Sequence, residues 1–229
     1  MHLGILKTDA VRPEWVGRFG EYPDMFERVF REIDADLQFS VWDVEAGEWP
    51  LGPDEVDGFI ITGSKSSVCD DKDWIRQLES FVRQCHARRK KIVGICFGHQ
   101  LIAQALGGHV GKAGNGWGVG IHEYELIDDT LPSSVRLLAS HQDQVQSPPP
   151  GARVIARNAH CPIAGLRLGE HVLTFQGHPE FIPEYAREIM EFRRAMIGDA
   201  RVAEGLASLA SKEHEGVRVA AWILEFFAR

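Results

Sequence analysis

Hydrophobic residues in the first half of the chain follow two alternating patterns, short continuous apolar runs and longer runs with helical spacing. The short runs are typical of strands that are covered on both faces, and they predict strands at residues 2–8, 37–44, 56–62 and 91–95. The longer runs place apolar residues three or four positions apart, as Phe26, Val29, Phe30 and Ile33 do. They predict helices at residues 22–33, 74–88 and 100–106.

The pattern changes in the middle of the chain. Glycines cluster at residues 114–120, and short strand-like runs follow at 121–127, 135–140, 153–157 and 163–168. Such runs predict antiparallel hairpins added to the sheet. The first pattern returns with a buried strand at 171–175 and a helix at 183–197, and the last thirty or so residues predict one more helix.

Strands that alternate with helices predict parallel pairing, with helices on both faces of the sheet. We therefore expect an α/β protein with an open, mostly parallel sheet and a small antiparallel β insertion. The proline run at residues 147–151 is too short for a linker between domains. A single domain over residues 1–229 is expected, with a core to about residue 197 and a C-terminal helical extension over 198–229.

Composition narrows the class of protein. The chain is 44% hydrophobic and 25% charged, which excludes a disordered or collagen-like chain. Its formal charge of −8 leaves no uniformly basic footprint, so nucleic acid is not an expected partner. No apolar run reaches the roughly 18 residues of a membrane span, and Lys7, Asp9 and Arg12 interrupt the only apolar start that a signal peptide could use. We expect a cytoplasmic protein whose four cysteines are reduced thiols.

A cysteine lies where the predicted strand at 91–95 runs into the next helix. Residues 94–100 read GICFGHQ, so Cys96 stands between Gly94 and Gly98. This G-x-C-x-G pattern is the thiol counterpart of the nucleophile elbow, a sharp turn at which neighbouring side chains must be absent. The free N–H groups of the following helix favour a thiolate. A buried structural cysteine with glycines for packing is the alternative interpretation.

A histidine and a carboxylate follow the predicted strand at 171–175, in the segment QGHPE. Loops after parallel strands gather at the carboxyl edge of a sheet, where Cys96 is also expected. In extended backbone, residues i and i+2 point to one side, and Pro179 disfavours a helix at His178. We predict that His178 is the base for Cys96 and that Glu180 orients it. Without the upstream cysteine, a solvated loop histidine would be the simpler interpretation.

Two further segments carry weaker signals. Gly63 ends a predicted strand, and its amide and that of Phe97 are candidate donors to an oxyanion, although a simple turn glycine has the same sequence. Residues 140–145, SHQDQV, have a polar density that suits recognition of a zwitterionic group, although a turn with satisfied hydrogen bonds would look the same.

The segments ITGSKSSV, GICFGHQ, SHQDQV and QGHPE, in this order, resemble those of the class I glutamine amidotransferases. The resemblance covers nearly the whole chain to about residue 197 and implies a flavodoxin-like α/β fold. It implies that Cys96 is the nucleophile, His178 the base and Glu180 its orienting carboxylate. It also implies that the amides of Gly63 and Phe97 hold the oxyanion.

The same resemblance implies that Gln100, Ser140 and His141 lie near the α-amino and α-carboxylate groups of the substrate. The chain is most similar to the stand-alone branch of the family, which includes γ-glutamyl peptidases and relatives of the GMP synthetase glutaminase domain. The implied reaction is cysteine-dependent hydrolysis of a γ-glutamyl amide through a γ-glutamyl thioester on Cys96. No cofactor, metal or membrane is expected in it.

The leaving group stays open at this point. The sequence contains no G-x-x-x-x-G-K-[ST] loop, so the chemistry of an ammonia acceptor is not encoded in it. The chain is therefore either a glutaminase that supplies an ammonia-accepting partner protein, or a γ-glutamyl peptidase or transpeptidase that acts alone. A third hypothesis is a non-catalytic member of the fold that binds a metabolite or senses redox state through Cys96.

Overall fold

The computed structural model describes residues 1–127 and 132–229, in which strands and helices alternate largely as the sequence pattern predicts. The strands are β1 (His2–Lys7), β2 (Gln38–Asp43), β3 (Gly58–Ile61), β4 (Lys91–Ile95), β5 (His109–Lys112), β6 (Gly118–Leu126), β7 (Ser134–His141), β8 (Asp143–Ser147), β9 (Arg153–Arg157), β10 (Gly165–Leu168) and β11 (Val172–Phe175). The helices are α1 (Pro13–Phe19), α2 (Tyr22–Arg31), α3 (Asp73–Ala87), α4 (Phe97–Ala105), α5 (Pro183–Phe192), α6 (Arg194–Ile197), α7 (Asp199–Ser211) and α8 (Gly216–Ala228).

Within the described residues, a nine-stranded sheet forms the centre of the molecule, in the order β2-β1-β3-β4-β11-β10-β9-β6-β7. The strands from β2 to β11 in this order pair in parallel. From β11 to β7 the pairing is antiparallel. Strands β5 and β8 form a separate small antiparallel sheet. The expected fold class is confirmed, and most of the antiparallel strands extend the main sheet.

Both faces of the parallel strands are covered by helices, which explains their continuous apolar runs. Ile60 of β3 belongs to the same apolar cluster as Phe26 of α2 and Ile223 of α8. Its neighbour Ile61 belongs to the cluster on the other face, with Leu101 of α4. Successive residues of one strand therefore serve two different cores, because side chains alternate between the faces of a sheet.

The C-terminal helices differ from the prediction. The expected helix at 183–197 is interrupted at Arg193 (φ −91°, ψ 9°), which separates α5 from α6. The prediction of a single helix in the last thirty or so residues is wrong, because this part of the chain forms two separate helices, α7 and α8. The chain leaves helical geometry at Lys212 (φ −125°, ψ 148°), where the polar sequence KEHE has no apolar residue to bury. The division into one domain with an extension after residue 197 stays a prediction.

The structure contains three elements that the sequence pattern does not predict, namely α1, β5 and β8. Each is short, and the small sheet of β5 and β8 has a mixed burial pattern without clear alternation. Such segments carry too few apolar residues for a periodic signal. None of the described helices is long and apolar enough to cross a lipid bilayer.

Two glycines allow α4 to lie directly on the sheet. A Cβ on Gly94 would lie 2.4 Å from the backbone carbonyl carbon of Gly98. A Cβ on Gly98 would lie 2.4 Å from the carbonyl oxygen of Ile61. Both contacts are with backbone, which cannot move aside as a flexible side chain can. The glycines predicted around Cys96 are therefore required by close packing between the strand and the helix.

We predict that Gly94→Ala lowers the free energy of unfolding by about 1–3 kcal/mol, because the added methyl overpacks the junction of β4 and α4. Gly17→Ala is the matched control, since Gly17 lies in α1 with nothing within 4 Å of its Cβ position. There the same change removes glycine flexibility from a helix and stabilises the protein by about 0.5–1 kcal/mol. Urea unfolding of both variants checks this, and equal stability of Gly94→Ala and wild type would contradict the packing argument.

Candidate active site

Cys96 connects β4 to α4 in a strained backbone conformation. Its φ is 53° and its ψ is −101°, a region that a residue with a side chain adopts at a cost of roughly 1–3 kcal/mol. Hydrogen bonds hold the turn, since its N–H donates to Phe175 O at 2.9 Å and its carbonyl accepts from Gln100 N–H at 3.1 Å. The side chain is buried at the N-terminal end of α4, beside the first free N–H groups of that helix.

His178 and Glu180 form the hydrogen-bonded pair that the sequence predicts. The distance between His178 Nδ1 and Glu180 Oε1 is 2.7 Å, and both side chains are buried. The backbone N–H of His178 donates to Leu138 O at 2.8 Å, which ties the segment to β7. The ring of Phe181 stacks on the imidazole with centroids 3.9 Å apart and an interplanar angle of 6°. The imidazole is thus fixed in position and in plane.

The imidazole lies next to the sulfur. The Cβ position of Gly63 would lie 2.9 Å from His178 Cε1 and 3.7 Å from Cys96 Cβ, so one small volume borders all three residues. Burial alone lowers the pKa of His178, but the charges of Glu180 and Cys96 and hydrogen bonds to both raise it to about 10. Because Nδ1 is bonded to Glu180, the ring nitrogen that hydrogen-bonds with Cys96 is Nε2. The surroundings of His178 therefore favour its protonated form.

Of the two predicted oxyanion donors, Gly63 borders the same volume, and Phe97 follows Cys96 directly in the chain. The carbonyl of Gly63 accepts from the Thr8 hydroxyl at 2.9 Å, which fixes the peptide between Gly63 and Ser64, next to the one that carries the Gly63 N–H. Phe97 is the first residue of α4, so its N–H has no carbonyl within the helix to bond. Gly63 has no room for a side chain, because one would collide with His178. Their role as oxyanion donors stays a prediction.

The predicted substrate residues line a cleft beside Cys96. This polar cleft has a volume of about 240 Å³, and its lining includes Gln100, Ser140, His141 and Asp143. Gln100 Nε2 donates to Asp143 O at 2.8 Å, and His141 Nδ1 donates to the same oxygen at 3.2 Å. Burial holds the pKa of His141 well below its usual value, so the ring is neutral. The structure brings these residues to one cleft, and their contact with substrate stays a prediction.

Other polar groups near the site serve packing. His99 donates and accepts through both ring nitrogens, with Thr174 Oγ1 at 2.7 Å and Ile163 O at 3.1 Å, and burial lowers its pKa to about 4. His99 is thus a neutral core residue. Within residues 1–127 and 132–229, no three His, Cys, Asp or Glu side chains are grouped so that they could hold a metal ion.

Several residues at the site have no sequence signal. Tyr22, Ile189 and Arg193 lie beside Cys96 and His178 because α2 and α5 fold over the carboxyl edge of the sheet. An amphipathic helix contains many such residues, and nothing in the sequence marks the ones that face a site. Phe181 is different, since its place directly after the QGHPE segment could have identified it.

The comparisons with known proteins agree with this geometry. The family model for class I glutamine amidotransferases matches residues 20–196. Gamma-glutamyl peptidase 2 of Arabidopsis thaliana is 34% identical over 183 residues, which cover 76% of this chain and 73% of that protein. A glutamine-hydrolyzing GMP synthase of Aeropyrum pernix is 30% identical over 176 residues, which cover 72% of this chain and 33% of that protein.

A solved glutamine amidotransferase from Thermotoga maritima has the same fold. Its TM-score is 0.75 at 19% sequence identity, over 100% of this chain and 97% of that chain. The chain therefore belongs to the class I glutamine amidotransferase family, and its relatives are C–N hydrolases.

We predict that Glu180→Gln lowers the pKa of His178 from about 10 towards the ordinary value of 6.5, because the amide removes the negative charge beside Nδ1. The measurement is an NMR titration of the His178 ring. Glu184→Gln is the matched control, since Glu184 is exposed at the start of α5 and loses the same charge. A His178 titration that is the same in both variants would contradict the assignment.

Proposed function

We propose that this protein hydrolyses γ-glutamyl amides, with Cys96 as nucleophile, His178 as proton carrier and Glu180 as the group that orients it. One observation carries the proposal: a buried imidazole, bonded to a carboxylate at 2.7 Å, lies beside a cysteine held on a strained strand–helix turn. Family membership and relatives named gamma-glutamyl peptidase or GMP synthase support a γ-glutamyl amide as the substrate class.

The first half of the reaction forms a thioester. His178 holds the proton that Cys96 gives up, and the thiolate attacks the δ-carbonyl carbon of the γ-glutamyl amide. The amides of Gly63 and Phe97 donate to the oxyanion of the tetrahedral intermediate, where a single such donor is worth about 3–4 kcal/mol in other enzymes. The C–N bond then breaks, and His178 transfers its proton to the leaving nitrogen.

The second half releases glutamate. Neutral His178 takes a proton from water, and the resulting hydroxide attacks the thioester carbonyl. The C–S bond breaks, which returns the sulfur to its thiolate form beside protonated His178. Glu180 accepts from Nδ1–H throughout and so holds the imidazole in the tautomer with Nδ1 protonated. An amine that reaches the thioester before water gives transpeptidation by the same steps.

The remaining cysteines do not compete for this role. Burial raises the pKa of Cys85 and that of Cys161 to about 12, so both stay thiols at neutral pH. Cys69 is exposed, its sulfur donates to Val110 O at 3.6 Å, and it does not line the narrow space that holds the imidazole of His178. This makes Cys69 a suitable control for reactions of an accessible thiol that lacks a base.

We predict that Cys96→Ala reduces glutamate release from every γ-glutamyl amide by at least about 10³-fold, the scale on which loss of a nucleophile acts. Cys69→Ala retains wild-type turnover. A glutamine-mimicking electrophile labels wild type and Cys69→Ala at Cys96, and free glutamine protects both. Full hydrolysis by Cys96→Ala would contradict the proposal. Labelling of Cys96 at the same rate with and without glutamine would also contradict it.

A further inference from the structure

A second, larger cavity lies next to the site. This aromatic cleft has a volume of about 670 Å³ between α1, α2 and α5, and the rings of Trp15, Tyr22, Tyr185 and Phe192 form much of its lining. It is far larger than ammonia needs, since a small molecule such as water occupies about 30 Å³. The mechanism above gives it no role.

The nucleophile lines two of three adjoining spaces, the polar cleft and a narrow space beside it. The narrow space, of about 20 Å³, is lined by Cys96 and His178. It shares Cys96 and Ser140 with the polar cleft, and it shares Tyr22 with the aromatic cleft. The two clefts also share Lys65 and Arg193 directly, so all three spaces adjoin one another. A substrate with its scissile amide at Cys96 has its acyl part on one side and its leaving amine on the other.

The orientation of the substrate across these three spaces follows from the chemistry of its two ends. The γ-glutamyl group is a zwitterion, and the polar cleft offers hydrogen-bonding groups such as Gln100 and Ser140. His178, which protonates the leaving nitrogen, lines the narrow space and not the polar cleft, and the narrow space adjoins the aromatic cleft through Tyr22. The leaving amine therefore points into the aromatic cleft.

Arg193 lines all three spaces and has no ion-pair partner in the described part of the chain. Its contacts there are a hydrogen bond from Nη1 to Ser140 Oγ at 3.2 Å and the ring of Trp117 at 5.8 Å. The other two cations of the aromatic cleft are paired, Arg12 with a glutamate at 2.6 Å and Lys65 with a buried aspartate. A guanidinium without a carboxylate partner is suited to bind one from a ligand.

We propose that the leaving group is an apolar amino acid, preferably an aromatic one, so that the substrate is a γ-glutamyl dipeptide. Its side chain packs among Trp15, Tyr22 and Phe192, and its α-carboxylate pairs with Arg193. In such a dipeptide the carboxylate is two bonds from the scissile nitrogen, which fits the position of Arg193 beside Cys96. This inference rests on the proposed function and adds the leaving-group site to it.

The test compares kcat/KM for three substrates: γ-glutamylphenylalanine, γ-glutamylglycine and γ-glutamylphenethylamine. γ-Glutamylphenethylamine is γ-glutamylphenylalanine without its carboxylate. Wild type favours γ-glutamylphenylalanine over γ-glutamylglycine by about tenfold, the scale of a few ring contacts. It favours γ-glutamylphenylalanine over the phenethylamine by about ten- to a hundredfold, the scale of a hydrogen-bonded charge.

Two variants separate these preferences. Arg193→Gln removes the preference for the carboxylate, while Phe192→Ala reduces the preference for phenylalanine over glycine. Phe192 is 56% exposed, so its truncation leaves the core intact. Arg187→Gln is the matched control for Arg193→Gln, since Arg187 is exposed on α5, the helix that ends just before Arg193, lies outside both clefts and loses the same charge. It keeps both preferences of wild type.

Other outcomes overturn the inference. An equal loss on γ-glutamylphenylalanine and γ-glutamylphenethylamine in Arg193→Gln means that Arg193 does not bind the leaving carboxylate. Turnover of free glutamine in preference to all three compounds, and only with a second protein present, makes the aromatic cleft a partner surface. In both cases Cys96-dependent glutamate release still supports the proposed function. Absence of glutamate release from every substrate overturns both.

Discussion

The order of three neighbouring strands, β3-β4-β11, is the constraint on which the site depends. Parallel strands end at one edge of a sheet, so the residues after these strands must meet there. Cys96 follows the central strand, Gly63 follows one neighbour and His178 follows the other. No long loop is needed to bring the sulfur, the imidazole and the candidate oxyanion donors together, and the hydrogen bonds of the sheet keep them in register.

The charges around His178 determine its protonation state. A buried imidazole normally loses its proton, as His99 and His141 do. His178 keeps its proton because a carboxylate at 2.7 Å and the sulfur supply compensating charge on either side. The backbone at Cys96 is strained where α4 lies directly on the sheet, a close approach that Gly94 and Gly98 permit. The fold thus stabilises a strained turn and a buried ion pair side by side, which is the arrangement that the proposed mechanism requires.

The sequence predicts the parts of this arrangement that are local or repeated. The alternation of buried strands and helices, the glycines around Cys96 and the spacing between His178 and Glu180 all result from short-range rules, and the structure confirms them. The break between α7 and α8 was not predicted, because apolar residues resume in α8 with helical spacing. Arg193 and the aromatic cleft were not predicted either, because they depend on how α1, α2 and α5 pack together.

The central claim is that every substrate passes through one γ-glutamyl thioester on Cys96. The most direct test is the partition of products in the presence of hydroxylamine, which captures such a thioester as γ-glutamyl hydroxamate. A common intermediate no longer carries the leaving group. The account predicts that, at a given hydroxylamine concentration, the ratio of hydroxamate to glutamate is the same for glutamine and for every γ-glutamyl dipeptide. A ratio that changes with the leaving group would contradict it.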